Sequence, residues 1–358
     1  MITGNKGEWS EIYALFKLLG DKQLFAGDVN LNKIEEVFYP IIKVIRNESF
    51  GNVEYGINSD LVIVSAGIEE LRIPINVFSE QAVKLLNTIK GETGIFSIPE
   101  TEEFMRSINC HTLKAKSTSK TDIRIVIHDK KINQFADLGF SIKSQLGGDS
   151  TLLNAGKTTN FIYKIDNLHI SEQEIERINL IDSRSKIKDR INAITNLGGQ
   201  FRFTALENSV FNNNLILIDS LLPNIISEIL FLFFTSNTST VQELTHILTQ
   251  LNPLSYDNQH AHKFYEYKIK HCLTDIALGM MPSKVWSGIY DATGGYLIVK
   301  ETGEVICYHI YNRNEFEDYL FANTKLDTAS SSRHEFGQLY QEDGQFFFKL
   351  NLQIRFKR

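Results

Sequence analysis

The spacing of apolar residues changes twice along this chain, and that change sets the fold class. Short alternating or continuous apolar runs occupy the first half: LVIVS at 61–65, DIRIVI at 122–127, FSIKS at 140–144 and NFIYKI at 160–165. Their alternation and β-branched content read as strands. Helical periods occur at 8–19 and 80–89, and 33–46 reads as a helix as well. From about 171 to 281 the period is helical, most clearly at 240–251 and 261–278. Strands then return. Residues 295–310 read as a hairpin turning at Thr302 and Gly303, and 348–357 alternate apolar with polar at every step. The expected fold class is α/β, with a mixed sheet flanked by helices, a helical middle region and a β-rich C-terminal part. The expected divisions are 1–170, 171–290 and 291–358, packed as one body of two lobes.

A chain of 358 residues buries a sizeable core without covalent staples. Cys110, Cys272 and Cys307 are odd in number and far apart, so they offer neither a disulfide framework nor a Cys-x-x-Cys metal knuckle. A reducing cytoplasm is the expected home. The N-terminus shows no apolar signal core. The most apolar stretch, 215–234, contains Asp219, Pro223, Asn224 and Glu228, which suits a buried helix better than a bilayer span. No membrane partner is expected.

The net charge of −6 gives no overall footprint for nucleic acid. Local charge is different. Residues 113–131 hold six Lys or Arg against two Asp, and the last ten residues hold Lys349, Arg355, Lys357 and Arg358 with no acid. Such patches suit either a DNA cleft or ordinary solvated surface.

Asp122 opens one apolar strand, and nineteen residues later Ser141, Ile142 and Lys143 lie on another. Period-two alternation puts Ser141 and Lys143 on one face and Ile142 on the other. This arrangement resembles the PD-(D/E)xK nuclease core, in which an acid and an acid-x-lysine pair approach one scissile phosphate from neighbouring strands. The chemistry explains the residue types: oxygen ligands hold Mg²⁺, and a cation orients the attacking water and offsets developing charge. By that resemblance Asp122 is a metal ligand and Lys143 the water-orienting group. Ser141 departs from the pattern, because an acid usually stands there. A branch with Ser-x-Lys draws its missing acid from elsewhere in the chain. Glu8 and Glu11 share one face of the first helix, within a Gly-x-x-x-Glu opening similar to that of resolvase-like members. Glu11 is the expected donor and Asp149 the next candidate. Taken alone, the motif equally describes two core strands with a solvated lysine.

Longer blocks narrow the reading. Residues 4–13 (GNKGEWSEIY), 138–145 (LGFSIKSQ) with 151–154 (TLLN), and 332–337 (SRHEFG) resemble blocks of the HpaII-type restriction endonucleases, and the likeness extends over the full length. That resemblance implies a restriction-endonuclease-like core in a prokaryotic cytoplasm. It implies cleavage of double-stranded DNA at CCGG, leaving a 5′-phosphate and a 3′-hydroxyl, with a companion methyltransferase. A palindromic site further implies a homodimer on DNA. The alternatives are a non-cleaving DNA-binding protein on a degenerate nuclease fold, motivated by Ser141, and a structure-specific resolvase or repair nuclease.

Candidate DNA contacts are Gln145, Asn154 and Asn160 near the core, and Arg333 and His334 in a loop of short side chains. Along the terminal strand they are Lys349, Asn351, Gln353, Arg355 and Lys357. Turn chemistry and solvated edge strands explain the same residues without DNA. His260, His262, His271 and Cys272 lack the spacing of a zinc site. Neither Gly-Lys-Ser/Thr, Gly-x-Gly-x-x-Gly nor Gly-x-Ser-x-Gly occurs, so no nucleotide cofactor or nucleophile elbow is expected.

Overall fold

The computed structural model describes residues 1–114, 120–129 and 133–357. Helix α1 (Lys6–Asp21) opens the chain and leads into β1 (Gln23–Gly27), β2 (Lys33–Glu48), β3 (Gly51–Asn58), β4 (Leu61–Ala66) and β5 (Glu69–Pro74). Helices α2 (Ile75–Gly91) and α3 (Pro99–Ser107) precede β6 (Ile123–Asp129) and β7 (Gln134–Ser144). Short β8 (Thr151–Leu153) and β9 (Asn160–Asp166) are followed by α4 (Glu172–Asn179), α5 (Lys186–Asn196) and β10 (Gln200–Leu206). Four helices come next: α6 (Ser209–Ile218), α7 (Leu222–Thr235), α8 (Val241–Leu251) and α9 (Phe264–Leu278). The hairpin β11 (Gly295–Val299) and β12 (Val305–His309) precedes α10 (Arg313–Asn323), β13 (Thr324–Leu326) and α11 (Ser331–His334). Strands β14 (Leu339–Glu342), β15 (Gln345–Asn351) and β16 (Ile354–Phe356) end the described chain.

The fold class is mixed α/β. The main sheet runs β1-β12-β11-β7-β6-β2-β3-β4-β5, and β1 also pairs with β2. Two pairings in it, β1 with β12 and β11 with β7, are parallel and the others antiparallel. The late hairpin is thus the inner neighbour of β7, although some 150 residues separate them in sequence. Smaller sheets run β10-β9-β15-β14 and β13-β16-β8.

Alternation along β11 divides two apolar cores. Leu297 and Val299 join Trp9, Phe16, Phe78 and Phe140 beneath α1 and α2. Tyr296 and Ile298 join Phe161, Phe211, Phe316 and Phe348 on the side of the later helices and C-terminal strands. Each core is buried against a different face of one strand, so the main sheet couples them.

Four expectations are corrected. Residues 33–46 belong to strand β2, not a helix; β1, β3 and β6 all pair with this long strand, and those ladders override its helical spacing. The run 215–234 is two helices, α6 and α7, bent by 109°, with Asp219 leaving the helix and Pro223 restarting it. The middle region contains strand β10 paired with β9. The terminal alternation is two strands in two sheets, because the chain leaves the ladder after Asn351 and pairs again from Ile354. No single helix among the described residues is long and apolar enough to cross a membrane.

Candidate active site

The site is built where α1 crosses β7. Asn5 caps α1: its Oδ1 accepts from Glu8 N at 3.1 Å, while Glu8 Oε2 accepts from Asn5 N at 2.9 Å. Lys114 donates to the other Glu8 oxygen at 2.7 Å, which holds that carboxyl below its usual range. Glu8 is therefore occupied by the cap. One turn on, the buried Ser10 hydroxyl lies 2.7 Å from Ser144 Oγ and donates to the Lys6 carbonyl. That contact fixes α1 against β7 at the residue after Lys143 and sets the position of Glu11.

Asp122 lies just before β6. Its N–H donates to the Phe140 carbonyl at 2.9 Å, continuing the β6–β7 pairing by one residue. Its Oδ2 accepts from Ile142 N at 2.7 Å and from Ser141 Oγ at 3.1 Å. Ser141 is 3 % exposed, so this donation is its fixed role in the folded chain.

Lys143 shares the Ser141 face. In register with β11, Ser141 faces Tyr296 and Lys143 faces Ile298, and the Lys143 ammonium stands 5.3 Å from the centre of the Tyr296 ring. Burial lowers the Lys143 pKa below the ordinary lysine value, while the Asp122 and Glu11 carboxylates oppose that shift. Helix α1 lies over the other face, that of Phe140 and Ile142, yet the Glu11 charge still acts on Lys143. The same carboxylate acts on Arg46 and Lys114.

The sequence did not single out Lys120, Asp291 or Tyr296. The Lys120 ammonium is pushed down to about 8 by burial and by the Lys143 charge, against the pull of Asp122 and Asp291. Its backbone N–H donates to Asp291 Oδ2. A lysine two residues before Asp122 was visible in the sequence; a tyrosine and an aspartate from beyond residue 285 were not.

Asp149 and Gln145 border a small cavity with Lys143 and Lys357. The Asp149 carboxylate is 2.5 Å from the Lys325 ammonium, and its carbonyl accepts from Arg355 Nη1. Among the described residues, no three of His, Cys, Asp and Glu group closely enough to enclose a metal ion.

Two of the expected DNA contacts are buried side chains in this structure. Asn160 is 0 % and Asn351 1 % exposed. Asn160 Nδ2 donates to Glu207 and to the His334 carbonyl, and Asn351 Nδ2 donates to the Gly156 carbonyl, Thr159 Oγ1 and Asn160 Oδ1. The network ties β9 to β15 and satisfies these buried amides within the fold. Lys349 pairs with Glu207 at 3.0 Å and Arg355 with Asp327 at 2.8 Å, so the terminal polar residues do not form one open face. Gln353 is half-buried, and its carbonyl accepts from Asp327 N. Asn154 and Arg333 are exposed, and His334 is half-buried beside Arg333 on α11. Of the two basic patches, Lys116, Lys130, Lys131 and Arg358 lie outside the described residues.

Comparison with known proteins places the chain within a class, the restriction endonucleases: residues 5–356 match the family described as HpaII restriction endonuclease. A second comparison agrees. The chain is 50 % identical over 358 residues to the type II restriction enzyme HpaII of Haemophilus parainfluenzae, covering 99 % of this chain and 98 % of that protein. The chain belongs to the HpaII restriction endonuclease family. No solved structure matches it.

Proposed function

We propose that the protein is a Mg²⁺-dependent type II restriction endonuclease with a restriction-endonuclease-like core, cutting double-stranded DNA at CCGG as a homodimer. One observation carries the assignment of the site. Asp122 just before β6 and Lys143 on the paired strand β7 lie close together, Ser141 bridges to the carboxylate, and the charges of Asp122 and Glu11 both bear on the half-buried lysine.

The donor set suits Mg²⁺, which takes hard oxygen ligands, commonly one or two protein carboxylates completed by water and substrate phosphate. Asp122 would be one ligand, and Glu11, carried by α1 over the opposite face of β7, would be the second only if its carboxylate reaches past the strand to Asp122 when metal binds; Asp149 pairs with Lys325. Bound there, the ion would supply Lewis-acid polarisation of the phosphoryl oxygens. The remaining work falls to the chain. Lys143 presents a cation in a dry setting, where its interaction with the phosphate is much stronger than in water. It orients the water that attacks phosphorus as the P–O3′ bond breaks, leaving a 5′-phosphate and a 3′-hydroxyl. Ser141 and Ile142 N hold the Asp122 carboxylate in one orientation, and Tyr296 walls the lysine from solvent on the β11 side.

Plasmid incubated with the protein and Mg²⁺ should yield discrete fragments whose mapped ends fall within CCGG. Absence of cutting with every divalent metal tried would reject the enzyme reading. Ser141 in place of the usual acid favours a second reading, a sequence-specific binder without turnover. That reading requires specific binding of CCGG duplex and intact DNA after prolonged incubation with metal.

A further inference from the structure

Two clefts open side by side between α5 and the segment leading into α11, with about 920 Å³ and about 960 Å³ of open space. Both are lined by Lys186, Ser331 and Ser332, so they form one continuous groove. In a chain of net charge −6, the wall of the first cleft carries Arg184, Lys186 and Lys188 and no Asp or Glu. Thr328, Ser330, Ser331 and Ser332 face these cations from the other wall.

The cations are held differently. Arg184 is exposed. Lys186 pairs at 2.8 Å with Asp182, whose side chain is largely in solvent. Lys188 is held by the Ser236 carbonyl and Asn237 Oδ1, with no carboxylate partner among the described residues. In the second cleft the charges are mostly spent: Glu335 pairs with Lys157, Lys349 with Glu207, and Arg190 donates to backbone carbonyls. Arg184 and Lys188 are thus the first cleft's cations without a carboxylate partner among the described residues, while Asp182 and Asp189 border the same wall. Arg333 stands exposed next to Ser332.

Ion pairs tie the groove wall to the segment that leaves β7. The chain leaving β7 after Lys143 passes Asp149 and reaches Lys157, whose ammonium is 2.5 Å from Glu335 on the groove wall. Arg355 links the Asp149 carbonyl to the Asp327 carboxylate, one residue before Thr328.

We propose that the groove holds the phosphodiester backbone of the duplex away from the cut bond, with Arg184, Lys186 and Lys188 neutralising phosphates and the Thr328–Ser332 hydroxyls donating to their oxygens. The proposal rests on the endonuclease reading above. Clustered cations with short hydroxyl donors are the usual chemistry of phosphate contacts, which position a protein on DNA and carry no sequence information. Each neutralised phosphate releases counterions, so affinity falls with salt by about 0.9 in logarithmic slope per contact.

The test uses the full chain and an R184A/K186A variant, with R184A alone as the milder second variant. Binding is measured on two duplexes, one containing CCGG and one scrambled, without divalent metal across a salt series. A melting curve for each variant checks folding. The expected result is a salt slope smaller by about two units in the double variant and about one in the single variant, on both duplexes, with unchanged mapped ends wherever cutting is seen in Mg²⁺. Unchanged slope and affinity in a folded double variant that still cuts would overturn the groove and leave the endonuclease reading intact. A wild-type chain that neither binds nor cuts either duplex would overturn both.

Discussion

Ser141 stands where the acid-x-lysine pattern would put a carboxylate, and its neighbour explains what such a carboxylate would meet. A second anion at hydrogen-bond distance from Asp122 would need a cation between them or would favour protonation of one of the two. The hydroxyl avoids that conflict by donating to Asp122 Oδ2. Ser141→Ala should leave that oxygen with the Ile142 N–H alone, at a cost of about 1.5–3 kcal/mol for a hydrogen bond to a charged acceptor. Single-turnover cleavage should slow by roughly tenfold or more, since about 1.4 kcal/mol is a factor of ten, while binding of uncut duplex stays as in wild type. Lys143→Ala should lower the cleavage rate by roughly 10²–10³, the range for removing one preorganised charge-stabilising group, again with binding retained. Wild-type cleavage by folded Lys143→Ala would remove the lysine from the chemistry. Strand alternation made Asp122, Ser141 and Lys143 legible in the sequence. The choice of Glu11 over Glu8 came instead from the Gly-x-x-x-Glu resemblance, and in the structure Glu8 is engaged in the cap of α1.

Strand β2 shows why element type was legible in some places and not in others. Ile34, Val37, Phe38, Ile41 and Ile45 satisfy a helical spacing, yet the segment is also rich in β-branched and aromatic residues and contains Pro40. Its partners lie elsewhere in the chain, and pairing with β1, β3 and β6 decides between the two periods. The β11–β12 hairpin was legible because its turn residues and alternation are local. Its entry depends on a feature that is not. Gly295 has φ +104°, and a Cβ there would lie 2.0 Å from the Tyr308 carbonyl oxygen of the facing strand. Gly295→Ala therefore combines a left-handed backbone with a backbone collision. Urea unfolding should show a loss of about 3 kcal/mol or more, at the large end of single substitutions. Because β11 is the neighbour of β7, cleavage should fall in parallel with stability. A variant as stable as wild type would show that the hairpin can shift to make room.

At the scale of the molecule, the parts of the site come together only when distant segments pair, and this was not legible. Residues 295–309 insert between β7 and β1, so Tyr296 becomes the wall of Lys143 and the two cores become faces of one sheet. The same insertion buries His309 at 1 % exposure, its ring packed near Tyr39, Phe140 and Tyr311. His309 Nδ1 accepts from Tyr311 N, which requires the neutral ring in the folded chain. Burial pushes the pKa down to about 4, with the Asp129 carboxylate opposing. The folded pKa thus lies below the ordinary value near 6.5, and between the two the unfolded chain binds the extra proton. Stability contributed by the neutral imidazole is present above about pH 6.5 and is lost as pH falls toward 4. Between pH 7 and pH 5 the loss should be about 2 kcal/mol from this residue. His309→Phe keeps an aromatic ring in the space and cannot titrate, so its urea midpoint should vary less with pH over that window, whatever its absolute stability. Equal pH slopes for wild type and variant would show that His309 does not couple the closing of the sheet to acid.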